Sequence, residues 1–230
     1  YRAKAIDHHP NSLRKLKSPL EGHPVPSEHI PFIKIATGSL GQGLSAGVGI
    51  ALAGKLQKRK FRVYVLLGDS ECAEGAVYEA LGLGAYYKLD NLAVIIDVNR
   101  LGQRGETMLG HNLEAYKKRF ESFGWNTIII NGHKIEEIIE ALNNAKKSNK
   151  PAAIIAKTFK GKGVSFLENK DNWHGRALNK EELERALKEI PNRTFPEFSI
   201  KIPKKIRIRK DKISKIGSIK YKLGDEISTR

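Results

Sequence analysis

Four short apolar runs constrain this chain more than any other feature. They are FRVYVLL at 61–67, LAVIIDV at 92–98, WNTIII at 125–130 and AAIIAK at 152–157. Each is too short for an ordinary helix and rich in β-branched residues, which predicts strands buried on both faces. Between and around them the apolar residues recur at helical spacing, predicting helices over 41–56, 74–87, 113–123, 135–147 and 180–190. Strands that alternate with helices predict an α/β fold, a doubly wound and mostly parallel sheet with helices on both faces. Prolines at 10, 19, 24, 26 and 31 leave 1–36 mostly as loop, with room for one short helix. No internal repeat interrupts the pattern.

The charge narrows the function classes. Of a net +16, a surplus of +9 lies between residues 201 and 222, where ten Lys/Arg face one acidic residue, Asp211. The rest of the chain is only mildly basic, so the excess reads as an exposed linker rather than a nucleic-acid surface. No RNP, zinc-finger or helix-turn-helix signature accompanies it, and nucleic acid is not expected as a partner. No apolar run reaches the roughly 18 residues a membrane-spanning helix needs, and residues 1–4 show no apolar signal region. Cys72 is the only cysteine; an intrachain disulfide is therefore ruled out, which fits a reducing, cytoplasmic location.

In a sheet of this kind ligands bind beyond the carboxyl ends of the strands. Asp69 falls at the end of the first predicted strand and Asn99 at the end of the second, 30 residues on. Two oxygen ligands at neighbouring strand ends suit a hard cation such as Mg²⁺, which completes its shell with water and phosphate oxygens. A diphosphate is the natural third party. A lone Gly-Asp after a strand is equally the start of a turn or a helix cap. The longer pattern, GDS-E followed about thirty residues later by DVNR, is more specific. Residues 158–163 lie at a third strand end. A single histidine is more often structural than catalytic, and His8, His9, His29 and His111 are assigned to that class, with His133 as a cap or packing residue.

Several longer stretches resemble the first half of transketolases of the animal type. They are GHPVP (22–26), ATGSLGQG (36–43), RVYVLLGDSECAEG (62–75), YKLDNLAVIIDVNRLGQ (87–103), FGWNTIIINGH (123–133), AIIAKTFKGKG (153–163) and NWHG (172–175). They run in order to about residue 190, and YKLGDEISTR at 221–230 is similar to the start of that family's second domain. The resemblance implies a thiamine diphosphate-binding domain over 1–192 and a basic linker over 193–230 leading into a pyrimidine-binding domain.

The same resemblance implies the site. Mg²⁺, with Ca²⁺ or Mn²⁺ as substitutes, would be held by Asp69, Asn99 and the main-chain carbonyl of Leu101. Gly38, Ser39 and Leu40 would line thiamine diphosphate, with Ser70, Gln103 and Lys160 towards its diphosphate. His23 and His174 would contact substrate hydroxyls or the diphosphate and assist proton transfer. Glu74 matches a carboxylate that communicates across the dimer interface, and Arg230 a substrate-contacting arginine. Lys160 as an exposed loop lysine and Glu74 as a solvated helix-start carboxylate are the competing readings. Ser70 stands where the family has glycine; a positive φ there would strain it and weaken cofactor binding.

The implied activity is transfer of a two-carbon ketol unit from a ketose phosphate to an aldose phosphate, as in the pentose phosphate pathway, by a homodimer or with a partner chain supplying the second domain. The family's first helices, with two more site histidines, would precede Tyr1. The glutamate that activates the aminopyrimidine would come from the partner's second domain. This chain alone is therefore expected to bind cofactor weakly and not to turn over. Two other readings stand beside this one: a non-catalytic interaction protein on the same fold, and another thiamine diphosphate enzyme such as dihydroxyacetone synthase.

Overall fold

A computed structural model describes residues 6, 8–30 and 32–190. The chain divides into two units, Tyr1–Thr194 and Phe195–Arg230; the second, with the basic run and Arg230, lies outside the described residues.

Among the described residues four strands form one parallel sheet: β1 (Val63–Gly68), β2 (Leu92–Val98), β3 (Asn126–Asn131) and β4 (Ala152–Lys157), in the order β1-β2-β4-β3. Five α-helices accompany them among the described residues: α1 (Gln42–Leu56), α2 (Gly75–Tyr86), α3 (Leu113–Ser122), α4 (Ile135–Lys147) and α5 (Lys180–Glu189). Leu44, Val48 and Ala51 of α1, Val77 and Leu81 of α2, and Tyr116 and Phe120 of α3 share one core with Val65, Leu67, Val94, Ile96 and Ile155 of the sheet. On the opposite face Ala141 and Ala145 of α4 pack against Ala93, Ile130, Ile154 and Ala156. Each fully buried Leu, Ile or Phe contributes about 1.5–3 kcal/mol, so these two cores bind the layers together.

The helices begin and end for identifiable reasons. Asn179 caps α5 with a full capping box, its side chain accepting from Glu182 N while Glu182 accepts from Asn179 N. The first turn of α4 carries Glu136 and Glu137 and the last carries Lys146 and Lys147, both favourable to the helix dipole. Gly84 of α2 lets Trp125 approach, since a Cβ there would meet its ring at 2.8 Å, while Trp125 Nε1 donates to Leu81 O at 2.9 Å.

The 61–67 run departs from its sequence pattern. It reads as a strand covered on both sides, yet burial alternates along β1, with Tyr64 43% and Leu66 71% exposed. Among the described residues β1 lies at the edge of the sheet, and α4 covers the opposite face only over β2, β4 and β3. Among the described residues no helix is long and apolar enough to cross a membrane.

The topology also fixes where a site can lie. β1, β2 and β4 are consecutive neighbours and point the same way. The segments that follow them, starting at Asp69, Asn99 and Thr158, therefore emerge side by side.

Candidate functional site

Backbone hydrogen bonds carry the sheet register into these loops. Asp69 N donates to Asp97 O at 3.2 Å, and Thr158 N to Val98 O at 3.0 Å. Asp69 is thereby drawn in against the end of β2. Its Oδ1 accepts from Ser70 N at 2.8 Å and its Oδ2 from Arg100 N at 2.6 Å. It is the one buried charged residue among those described, 4% exposed. Burial pushes its carboxyl above the ordinary value; the two N–H groups pull it down, Asp97 nearby raises it, and the Lys160 ammonium lowers it.

Asn99 Oδ1 accepts from Leu101 N at 3.1 Å, and Leu101 O accepts from Lys160 Nζ at 3.1 Å. That ammonium lies 3.4 Å from His174 Nδ1. Asp69, the 99–101 turn, Lys160 and His174 are thus joined in one polar network. The network fits a hard cation. Its oxygens are a carboxylate, an amide and a main-chain carbonyl, and the carbonyl already draws a cation, the Lys160 ammonium. Among the described residues no cluster of three or more His, Cys, Asp or Glu is placed to hold a metal. A metal here would have one carboxylate and otherwise neutral protein oxygens, leaving both charge and positions for phosphate.

A cavity of about 750 Å³ opens beside Asp69. Leu40, Ser70 and Gln103 line it with Asp69, together with Arg104, Tyr116 and Arg119. Asn99, Leu101, Lys160 and His174 are not part of its wall. The GSLG loop is fastened to it by a residue the sequence reading did not single out: Glu71 Oε1 accepts from Gly41 N at 2.8 Å and Oε2 from Gly68 N at 3.1 Å. Only its place inside GDS-E hinted at this. Gly41 has φ +82, and a Cβ there would meet Glu74 Cβ at 2.8 Å, so Glu74 packs on that loop with an exposed side chain at the start of α2. Gly38 and Ser39 are exposed beside Leu40.

His23 belongs to a different grouping. Its ring lies 3.2 Å from where a Cβ on Gly38 would fall, and it lines a separate cavity with Arg14 and Glu21. The structure therefore brings His174 to Lys160 and His23 to Gly38. Arg230 lies outside the described residues.

Ser70 has φ −59 and ψ −42, an ordinary right-handed conformation, so serine there carries no backbone strain. The positive φ in this region falls on Arg100 instead, at +64. The 158–163 loop is held by two histidines: His133 Nε2 accepts from Phe159 N at 2.9 Å, and His111 Nε2 is 3.0 Å from Thr158 O. The Thr158 hydroxyl also donates to Asp97 Oδ1.

A family model described as "Transketolase, thiamine diphosphate binding domain" matches residues 7–222. Human transketolase is 46% identical over 226 residues, covering 95% of this chain and 35% of the human one. Mouse transketolase-like protein 2 is 44% identical, covering 95% of this chain and 36% of its own length. Among solved structures, transketolase from Campylobacter jejuni superposes with a TM-score of 0.69 at 40% identity, over 77% of this chain and 29% of that one. Pichia stipitis transketolase in complex with sedoheptulose-7-phosphate gives 0.66 at 30% identity, over 76% and 27%. The chain thus spans about a third of the length of the curated relatives it matches.

Proposed function

Because this chain belongs to the transketolase thiamine diphosphate-binding family, we propose that it supplies the diphosphate-and-metal half of a ketol-transfer site. In this reading the site moves a two-carbon unit from a ketose phosphate to an aldose phosphate, the chemistry of the pentose phosphate pathway. The observation that carries the proposal is the buried Asp69 carboxylate hydrogen-bonded to the 99–101 turn, whose Leu101 carbonyl already accepts from an ammonium.

The side-chain oxygens of Asp69 and Asn99 and the carbonyl of Leu101 would hold Mg²⁺, for which Ca²⁺ or Mn²⁺ could substitute. Thiamine diphosphate, when bound, supplies the electron sink for breaking a carbon–carbon bond next to a carbonyl. The protein's own part is to hold and orient. The Lys160 ammonium gives a second positive charge for the diphosphate. Ser70 and Gln103 line the cavity beside Asp69, and Gly38, Ser39 and Leu40 offer main chain and an apolar surface to the rings.

His174, beside Lys160, would hydrogen-bond sugar hydroxyls and move a proton at Nδ1 or Nε2. His23 takes the same role from the Gly38 side. Glu74 and Arg230 are assigned to the interface with a second copy and to substrate. We read the working unit as a homodimer, or as this chain with a partner carrying the second domain. The lone buried Cys72 supports a reducing compartment, read here as the cytoplasm.

Calorimetric titration with thiamine diphosphate, with and without Mg²⁺, tests this. Binding should require the metal and weaken at least about a hundredfold in Asp69→Ala, since a charged ligand to a dication is removed. Binding indifferent to both metal and substitution would show the assignment to be wrong.

A further inference from the structure

Arg100 is the residue of the 99–101 turn to which the metal reading gives no role, and its environment is unusual. It holds φ +64, the left-handed conformation that residues with a Cβ adopt uncommonly. That conformation delivers its N–H to Asp69 Oδ2 at 2.6 Å. Its guanidinium turns the other way, into the loop between β4 and α5. Nε donates to Asn169 Oδ1 at 2.7 Å and Nη2 to Asn169 O at 3.0 Å, so one planar fork engages two oxygens of one residue. Nη1 lies 3.5 Å from Glu106 Oε1.

Asn169 is itself at φ +57, and its N–H donates to Lys160 O at 2.8 Å. Lys160 closes the ring by donating to Leu101 O. A parallel tie, Gly105 N to Asp171 Oδ2 at 2.9 Å, joins the same two loops further out. Residues 158–179 contain no helix or strand, so turn hydrogen bonds such as Asn169 N to Lys160 O and side-chain clasps together set where Lys160 and His174 stand.

We propose that Arg100 is a positioning residue: through Asn169 it fixes the loop bearing Lys160 and His174 against the Asp69–Asn99–Leu101 corner. One backbone position thus orients the carboxylate by its N–H and the ammonium-bearing loop by its side chain. This inference rests on the metal–diphosphate reading. Without the clasp this part of the loop is less ordered before ligand arrives, and the remaining ordering is subtracted from affinity.

Glycine substitutions isolate the effect, because Arg100→Gly and Asn169→Gly keep both positive-φ conformations and both N–H donors while removing the side chains. In the full chain at saturating Mg²⁺, each should weaken thiamine diphosphate binding about tenfold by calorimetry. The double variant should be no weaker than either single one by more than about twofold, because the two residues act as a unit. Asn169→Asp retains the acceptor and should bind within about threefold of wild type, whereas Arg100→Lys, which keeps charge but not the fork, should resemble Arg100→Gly.

Without ligand, amide exchange at Asn169 and its neighbours should accelerate in the glycine variants. Unchanged affinity in both glycine variants, whatever happens to the unfolding midpoint, would overturn the proposal, as would additive losses in the double variant or unchanged exchange. Mg²⁺-dependent binding that survives Asp69→Ala would instead overturn the metal–diphosphate reading beneath it.

Discussion

Cys72 lies three residues beyond Asp69 and is 3% exposed. Burial, reinforced by the charges of Glu71 and Asp69, pushes its thiol up to about 12. An unfolded thiol ionises near 9.0, so between these values the folded chain holds a proton that the unfolded chain has lost. Stability must therefore fall as pH rises through that window. Urea unfolding at pH 8 and pH 10.5 should show this fall, and Cys72→Ala should make it shallower, with the buried Tyr116 phenol, also pushed up to about 12, supplying part of the remainder. A thiol reagent at pH 8 should label the native chain slowly and the urea-unfolded chain at once; rapid native labelling would contradict the buried environment. Ser70 makes a second residue-scale case. With φ −59 it gains nothing from glycine's freedom, so Ser70→Gly should leave cofactor affinity within about twofold and cost about 0.5–1 kcal/mol of stability. Tighter binding in Ser70→Gly would show that the site needs a conformation other than this one.

Secondary-structure elements were the most legible part of the sequence, because local periodicity is what makes them. The runs at 92–98 and 152–157 are β2 and β4 to the residue, and 135–147 is α4. The single-sided burial of β1 was not legible. FRVYVLL is apolar throughout, and whether Tyr64 and Leu66 are covered depends on β1 falling at the edge, a property of strand order rather than of the strand. The site divides in the same way. Asp69 and Asn99 stand out because they fall inside short motifs at strand ends, whereas Leu101 is implied only by the family resemblance. Glu71's grip on Gly41 and Arg100's on Asn169 join residues 30 and 69 positions apart, and no spacing rule encodes loop geometry at that range. At this scale the capping box of α5 gives a clean test: Asn179→Ala should cost about 1 kcal/mol in denaturant unfolding. No loss would mean that the helix starts elsewhere.

For the whole molecule, the parallel sheet explains why residues from such distant parts of the chain meet. The order β1-β2-β4 sets three strand ends side by side, and each delivers one part of the polar corner: the carboxylate, the amide and carbonyl turn, and the ammonium-bearing loop. The relatives of this chain are about three times its length, and the corner is the diphosphate-and-metal half of the proposed transfer site. The half proposed here still has a direct spectroscopic signature. With Mn²⁺ in place of Mg²⁺ and thiamine diphosphate present, pulsed electron–nuclear double resonance on the full chain reads which nuclei touch the metal. Phosphorus couplings from the diphosphate, together with an oxygen coupling from ¹⁷O-labelled Asn99 side chain, should appear in wild type and vanish from the protein-bound signal in Asp69→Ala. A spectrum identical to that of manganese thiamine diphosphate in buffer, or one unchanged by Asp69→Ala, would contradict the metal–diphosphate corner.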